Sequence, residues 1–374
     1  MRGEGSLKTW HRLANALSPI VAVGAAFLVG GLVVTAIGES PVRIYAILFR
    51  GAFGSFDAIG HVLFNACPLI FAGLAVAFAF RAGLFNIGGD GQLYVGSFAA
   101  AWVGLSLGPL HPVILIPILV VASAAGGALW AAIPGALKAR FGVHEVINTI
   151  MMNFIAVGLT SYLVINVFRE PGQMTPQTAE IAASGHLPRL AGAFQRLGIP
   201  LPYANPLNAS ILIALGAVAL AWFILHRTTF GYEVRAVGRN AKAAEYAGIN
   251  VRRTLVLAMV ASGAFAGLVA TNEVMGFRHR FLDNFSGGLG FMGIAVALLG
   301  RNTPIGVLFA ALLFGVLNTG ALEVDVFTDV PRELILVLQA ITIILVVVGN
   351  EVFAKRLAAR AAPTGAGELE KEAA

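Results

Sequence analysis

GHVLFNACPLIFAGLAVAFAFRAGLFNIGGDGQLYVGSFAAAWVGLSL, residues 60–107, holds two apolar runs of about 20 residues joined by a short Gly-rich break. Each run is long enough to cross ~30 Å of hydrocarbon as a helix. Outward from this pair the same pattern recurs and gives ten candidate spans: 18–38, 60–80, 87–107, 112–134, 146–168, 207–225, 254–275, 288–300, 304–322 and 332–349. The eighth is short and carries Gly288, Gly290 and Gly293 after Gly287. Opened backbone survives at membrane depth only against protein or a water-filled cavity. Broken or re-entrant segments are therefore expected near 81–92 and 284–300. The expected fold is an all-α polytopic membrane protein of about ten transmembrane helices.

Composition agrees. Of 374 residues, 58% are hydrophobic and 12% charged, and the mean hydropathy is +0.83. Soluble domains carry ~25% charged residues, so a soluble enzyme or a disordered chain is excluded. The net charge is +6, but the basic residues lie in short breaks between apolar runs and form no face for nucleic acid. Seventeen of the 25 Lys and Arg fall in alternate breaks that share one side, and eight fall on the other. This bias puts both termini in the cytoplasm. The expected organisation is a cytoplasmic N-terminus over 1–17, one transmembrane domain over 18–350 and a cytoplasmic tail over 351–374. The first apolar run lacks the usual small-residue cleavage site and reads as a retained span. Cys67 is the single cysteine, and no His/Asp/Glu/Cys cluster has metal-ligand spacing. No metal and no cofactor is expected in this chain.

Two outer segments stand apart. In 40–59, Arg43 and Arg50 share a helix face, which fits an amphipathic helix in the outer interface. Residues 168–206 hold six of the sixteen prolines and form an outer loop. It is long enough to dock a partner or cover an entrance, or it is a passive linker. FAGLAVA at 71–77 echoes FAGLVAT at 265–271 with five spans between them, so the copies would run in opposite directions. Inverted repeats are common in transporters. Ala/Gly/Leu strings also recur by chance, and the echo leaves a repeat open.

The break FRAGLFNIGGDGQLYVG at 80–96 places Asn86, Asp90 and Gln92 beside Gly83, Gly88, Gly89 and Gly91. That many glycines disfavour a regular helix, and an acid at membrane depth usually faces a cavity. The segment reads as a pathway or gate element. The competing reading is a cytoplasmic turn with Arg81 and Asp90 at the surface. No G-x-x-x-x-G-K-[ST] phosphate loop occurs. In the fifth span Thr149, Asn153 and Thr160 share a face, either lining a polar path or bonding between helices. Asn65 in the second span is a lone polar residue with the same two readings. Gly263 with Gly267, and Gly104 with Gly108, are small-residue pairs expected to pack helices.

The inner loop HRTTFGYEVRAVGRNAKAAEYAGINVRRT, 226–254, carries Asn240 as an N-cap, a short helix over 241–247 and Gly248 as its stop. It reads as a docking element for a cytoplasmic partner, with Tyr246 as an anchor and Ala243, Ala244 and Gly248 allowing close approach. The alternative is a lipid-facing loop that binds anionic headgroups through Arg252 and Arg253.

GLAVAFAFRAGLFNIGGDGQ at 73–92 and GYEVRAVGRNAKAAEYAGINVRR at 231–253 resemble membrane permease subunits of bacterial ABC importers. The group is that of the branched-chain amino acid, ribose and simple-sugar permeases. The first segment is most similar to the nucleoside-uptake branch, with Asp90 where that branch usually carries Glu. The resemblance covers about 18–350. It implies a pathway motif on Asn86, Gly88, Asp90, Gly91 and Gln92. It also implies a coupling helix on Gly231, Arg235, Ala236, Gly238, Asn240, Ala244 and Gly248, within a coupling loop over 226–253. It implies a separate cytoplasmic ATPase that binds ATP and Mg, an extracytoplasmic binding protein and a second related permease subunit. The setting it implies is the bacterial inner membrane. The expected solute is a nucleoside, with a simple sugar or branched-chain amino acid as alternatives. A self-sufficient secondary transporter is a further alternative. It would need intramembrane ionisable groups, and Asp90 is nearly alone in that role. Nothing marks an enzyme: no nucleophile and base are paired.

Overall fold

The computed structural model describes residues 24–108 and 110–328, with a few positions between 336 and 345. The regular secondary structure of the described residues is helical, and their β pairing is limited to isolated bridges. The helices are α1 Gly24–Ala36, α2 Pro41–Phe53, α3 Phe56–Arg81, α4 Gly89–Ser106, α5 Pro112–Phe141, α6 Glu145–Asn166, α7 Ala191–Arg196, α8 Ser210–Arg227, α9 Thr229–Arg239, α10 Ala241–Tyr246, α11 Val251–Gly267, α12 Leu289–Leu299 and α13 Pro304–Phe327. A π-helical stretch, Thr271–Arg278, extends α11. Residues 47–327 form one compact unit that holds every site residue named above. In the other unit, Tyr45 Oη donates to the Phe27 carbonyl at 2.5 Å and the two rings meet edge to face.

Among the described residues six helices are long and apolar enough to cross a membrane, or seven if α1 and α2 together make one broken span. The expectation of ten was larger for three reasons. The span expected at 288–300 is α12, whose eleven residues rise only ~16 Å, about half the hydrocarbon depth. The one at 87–107 is α4, an 18-residue helix with a polar first turn. The one at 332–349 lies almost wholly outside the described residues, and the start of 18–38 does too.

α3 is the centre. Every residue from Ala66 to Ala79 is buried, as expected for a helix apolar all round. It packs against α8, α11, α12 and α13. α11 lies against α5 in backbone contact, because a Cβ on Gly263 would collide with the Gly127 carbonyl and one on Gly267 with that of Ser123. The Gly263/Gly267 pair therefore packs helices as expected. Gly104 and Gly108 do not act as a pair: Gly104 faces Ile181, while Gly108 has φ +60° and lies just past the end of α4.

α2 forms over the segment expected to be amphipathic, burying Ile44, Leu48 and Ala52 while Arg43 and Arg50 are exposed. The 168–206 segment is stitched onto the chain beyond α11. Its amides at Thr178, Ile181 and Leu187 donate to the carbonyls of Phe281, His279 and Met275 at 2.8–3.0 Å. Arg280 binds Glu170 at 2.6 Å and also Glu180.

Candidate functional site

In the turn between α3 and α4, Gly83 is exposed and Arg81 half-buried, but Asn86 and the run Gly88–Asp90 are buried. Asn86 accepts the Gly88 amide at 2.9 Å, exchanges hydrogen bonds with Gln92 at 3.0 Å and donates to Ser262 Oγ at 2.8 Å. Ser262 in turn donates to the Ala75 carbonyl at 2.6 Å. α6 closes the turn from the other side. Asn153 accepts the Gly91 amide at 2.8 Å and donates to the Ile87 carbonyl at 2.9 Å, while Thr149 Oγ1 accepts the Ile87 amide at 3.3 Å. Unpaired backbone groups at this depth are costly, and this net satisfies them.

α4 begins at Gly89 despite its glycines, because close packing outweighs propensity there. A Cβ on Gly290 would collide with the Asp90 amide, and one on Gly91 would press on Asn153 at 3.0 Å. Asp90 Oδ1 accepts the Gly290 amide at 3.0 Å and the Ser286 hydroxyl at 3.1 Å. Asp90 thus caps the N-terminus of α12 from a different element, where the helix's free N–H groups and positive end favour a carboxylate.

Beside this contact lies a cavity of about 350 Å³ between α4, α6 and the 284–291 segment. Its lining combines the polar side chains of Asp90, Asn153, Asn284 and Ser286 with the rings of Tyr94, Phe154 and Phe291. Tyr94 also stands 5.1 Å from the Phe285 ring. Of the six side chains expected along a pathway, two line this cavity: Asp90 and Asn153. Asn86, Gln92 and Thr149 hold the turn behind it, and Gly88, Gly89 and Gly91 supply the close backbone approach. Asn65 lies elsewhere, donating to Thr319 Oγ1 on α13 at 3.0 Å. Tyr94, Asn284, Ser286, Phe154 and Phe291 were not anticipated. Their signal was thin: FLDNFSGGLG at 281–290 drew notice for its glycines, not for its polar side chains.

The 226–253 loop folds as two capped helices. Thr228 Oγ1 accepts the Gly231 amide at 3.1 Å, and Asn240 Oδ1 accepts the Ala243 amide at 3.0 Å. Gly231 is needed where α9 crosses the end of α8, since a Cβ would strike the Ile224 carbonyl. Gly238 lies on the Arg81 carbonyl in the same way, at the end of α3. α9 and α10 enclose a cleft of about 420 Å³ edged by Tyr232, Arg235, Ala236, Arg239, Ala244 and Ile249. Tyr246 is 94% exposed and Ala244 only 4%. Ala244 therefore belongs to the loop's own packing, not to its outer surface. Gly248 closes α10 at φ +84°.

Among the described residues no group of three or more His, Cys, Asp and Glu side chains is placed to hold a metal. Cys67 is buried 3.2 Å from Ser210 Oγ.

Residues 58–347 match the family described as the branched-chain amino acid transport system permease component. The chain is 43% identical to the guanosine ABC transporter permease protein NupP of Bacillus subtilis (strain 168), over 90% of this chain and 94% of that one. It is 37% identical to the glucose ABC transporter permease protein TsgB13 of Haloferax volcanii, over 88% and 86% of the two chains. It is also 37% identical to the nucleoside ABC transporter permease protein NupB of Lactococcus lactis subsp. cremoris, over 90% and 92%. No solved structure matches the chain.

Proposed function

The chain belongs to the family of branched-chain amino acid transport system permease components, and on that premise we propose that it forms the membrane pathway of an ATP-driven nucleoside importer. It is a multi-pass protein of the plasma membrane. The observation that carries the solute class is the cavity beside Asp90. The aromatic rings in its lining suit the faces of a nucleobase. The amides, hydroxyl and one carboxylate in the same lining suit base edges and ribose hydroxyls. The guanosine and nucleoside permeases among the relatives support the same choice. The glucose permease makes a sugar the competing solute.

ATP and Mg bind a separate cytoplasmic ATPase that docks on α9 and α10. A binding protein delivers the solute to the outer face, and a second related permease completes the pore. In this arrangement about ten helices cross the membrane, both termini are cytoplasmic and the transmembrane domain runs over 18–350. Gly238 on the end of α3 gives the coupling route its mechanical basis. A push on α9 reaches the turn after Arg81, then Asp90 and the cap of α12. The test is uptake into proteoliposomes holding this chain with its partner subunits. Labelled guanosine, glucose and leucine are offered with internal or external ATP, or with an ion gradient alone. ATP-dependent guanosine uptake is expected. Uptake driven by the ion gradient without ATP would sink the importer reading, and preference for glucose would reassign the solute.

A further inference from the structure

We propose that the groove between the basic ends of α5 and α11 is a binding site for an anionic phospholipid headgroup. The two helices touch through their backbones at Gly127 and Gly263, and Gly135 still packs on Met259 and Val256. Past Gly135 they part around a cavity of about 480 Å³. Ala136, Ala139, Val256 and Leu257 floor it, and Arg140, Arg252 and Arg253 rim it. All three arginines are exposed. Among the described residues none of their guanidinium groups has an ion pair or side-chain hydrogen bond, and Arg140 leans on the Phe141 ring at 5.7 Å. Lys138, by contrast, is neutralised by Glu145 at 2.8 Å.

Three unneutralised cations therefore converge over an apolar floor. The N-terminal end of α11, capped by Asn250 at 3.0 Å from the Arg253 amide, adds its partial positive charge to the same place. A phosphodiester suits the rim, because guanidinium groups bind phosphate oxygens in pairs. The acyl chain below it suits the floor. A free anion would leave that floor uncovered, so the lipid matches both halves of the groove. The charge bias of the chain puts both helix ends at the cytoplasmic leaflet, where anionic lipid is met. The site is separate from the solute cavity, and its failure leaves the transport reading untouched.

The full chain is held in phosphatidylcholine nanodiscs with phosphatidylglycerol titrated in. Lipid retained through delipidation is weighed by native mass spectrometry, and thermal midpoints are recorded alongside. The wild type should retain phosphatidylglycerol and gain thermal stability from it. The double variant Arg252→Gln/Arg253→Gln should lose about 30-fold in apparent affinity, about fivefold per arginine. Ala136→Trp keeps every charge but fills the floor, and it should also lower retention. Arg227→Gln removes a cation from another helix end and should change nothing. Equal retention by the double variant and the wild type would overturn the proposal. So would an equal loss in Arg227→Gln, which marks a general charge effect. Protection by inorganic phosphate equal to that by phosphatidylglycerol would overturn it in favour of a free-anion site. Loss of ATPase binding in the double variant, with no phosphatidylglycerol retained by the wild type, would overturn it in favour of a protein surface.

Discussion

Asp90 does two things at once: it caps α12 and it faces the cavity between α4 and α6. Substitution should separate the two. Asp90→Ala removes the acceptor for the Gly290 amide and the Ser286 hydroxyl, at a cost of about 1–3 kcal/mol for buried groups left unpaired. It should lower both the thermal midpoint in detergent and nucleoside uptake. Asp90→Asn keeps an acceptor oxygen and should hold the midpoint near wild type while uptake falls at least about tenfold, the effect of about 1.4 kcal/mol lost from binding. Wild-type uptake by a stable Asp90→Asn protein would assign the residue to the cap alone. Asn153→Ala strands the Gly91 amide and the Ile87 carbonyl, and a thermal melt should show a comparable destabilisation. The importance of 86–92 was legible in the sequence, since polar side chains among glycines inside an apolar body are costly without a purpose. Their separate roles were not. Asp90 meets partners some 200 residues away, and only the fold reveals that Asn86 and Gln92 bond to each other while Asp90 turns toward 286–290.

The elements proposed to transmit motion, α9 and α10, have capped ends and close glycine crossings. Tyr246 projects from α10 with almost its whole surface free. Tyr246→Ala should leave the melting curve unchanged while the ATPase no longer co-purifies; full retention of the ATPase would remove the anchor. Gly238→Val drives a branched side chain into the Arg81 carbonyl. ATPase binding should persist there while uptake collapses, read as ATP turnover that the loaded binding protein no longer stimulates. The 168–206 segment, packed on His279 and Arg280, is expected to respond to pH. Burial, with His186 stacked at 3.7 Å, holds the His279 imidazole below its usual range. The hydrogen bond from Arg280 holds the Glu180 carboxyl below its own. In both, the folded loop binds protons more weakly than the unfolded chain. The stability they contribute is full above the unfolded pKa, ~6.5 for His and ~4.3 for Glu, and is lost as pH falls through the folded values. Amide exchange over 178–187, corrected for intrinsic rate, should therefore quicken between pH 7 and pH 5.5. His279→Asn, which tolerates the left-handed backbone at φ 57°, should flatten that response. Of the two capped helices in the 226–253 loop, α10 was legible from Asn240 and Gly248, whereas α9 was not. The stitching of 168–206 onto 275–283 was not, because irregular backbone pairing leaves no periodic trace.

Across the whole molecule, apolar length located most helices, but hydropathy alone could not separate the long apolar helices from α12, which is equally apolar and only eleven residues long. The Gly127–Gly263 contact holds the largest helix pair together, so Gly263→Leu should abolish a monodisperse peak in size-exclusion chromatography, whereas Gly216→Leu, which points into open space, should not. The cap of α12 has an electrical meaning as well. The helix end carries about half a positive charge, and Asp90 is the one formally charged side chain on the cavity wall. With its field offset by that end, the wall offers no strong trap for a stray cation, and an uncharged solute crosses without a counter-ion. Moving one elementary charge through 100 mV is worth ~2.3 kcal/mol, so a conductive cycle would speed or slow many-fold with voltage. Uptake into vesicles clamped by potassium and valinomycin should stay level across that range, marking turnover as electrically silent and the pathway as one that leaves the proton-motive force intact.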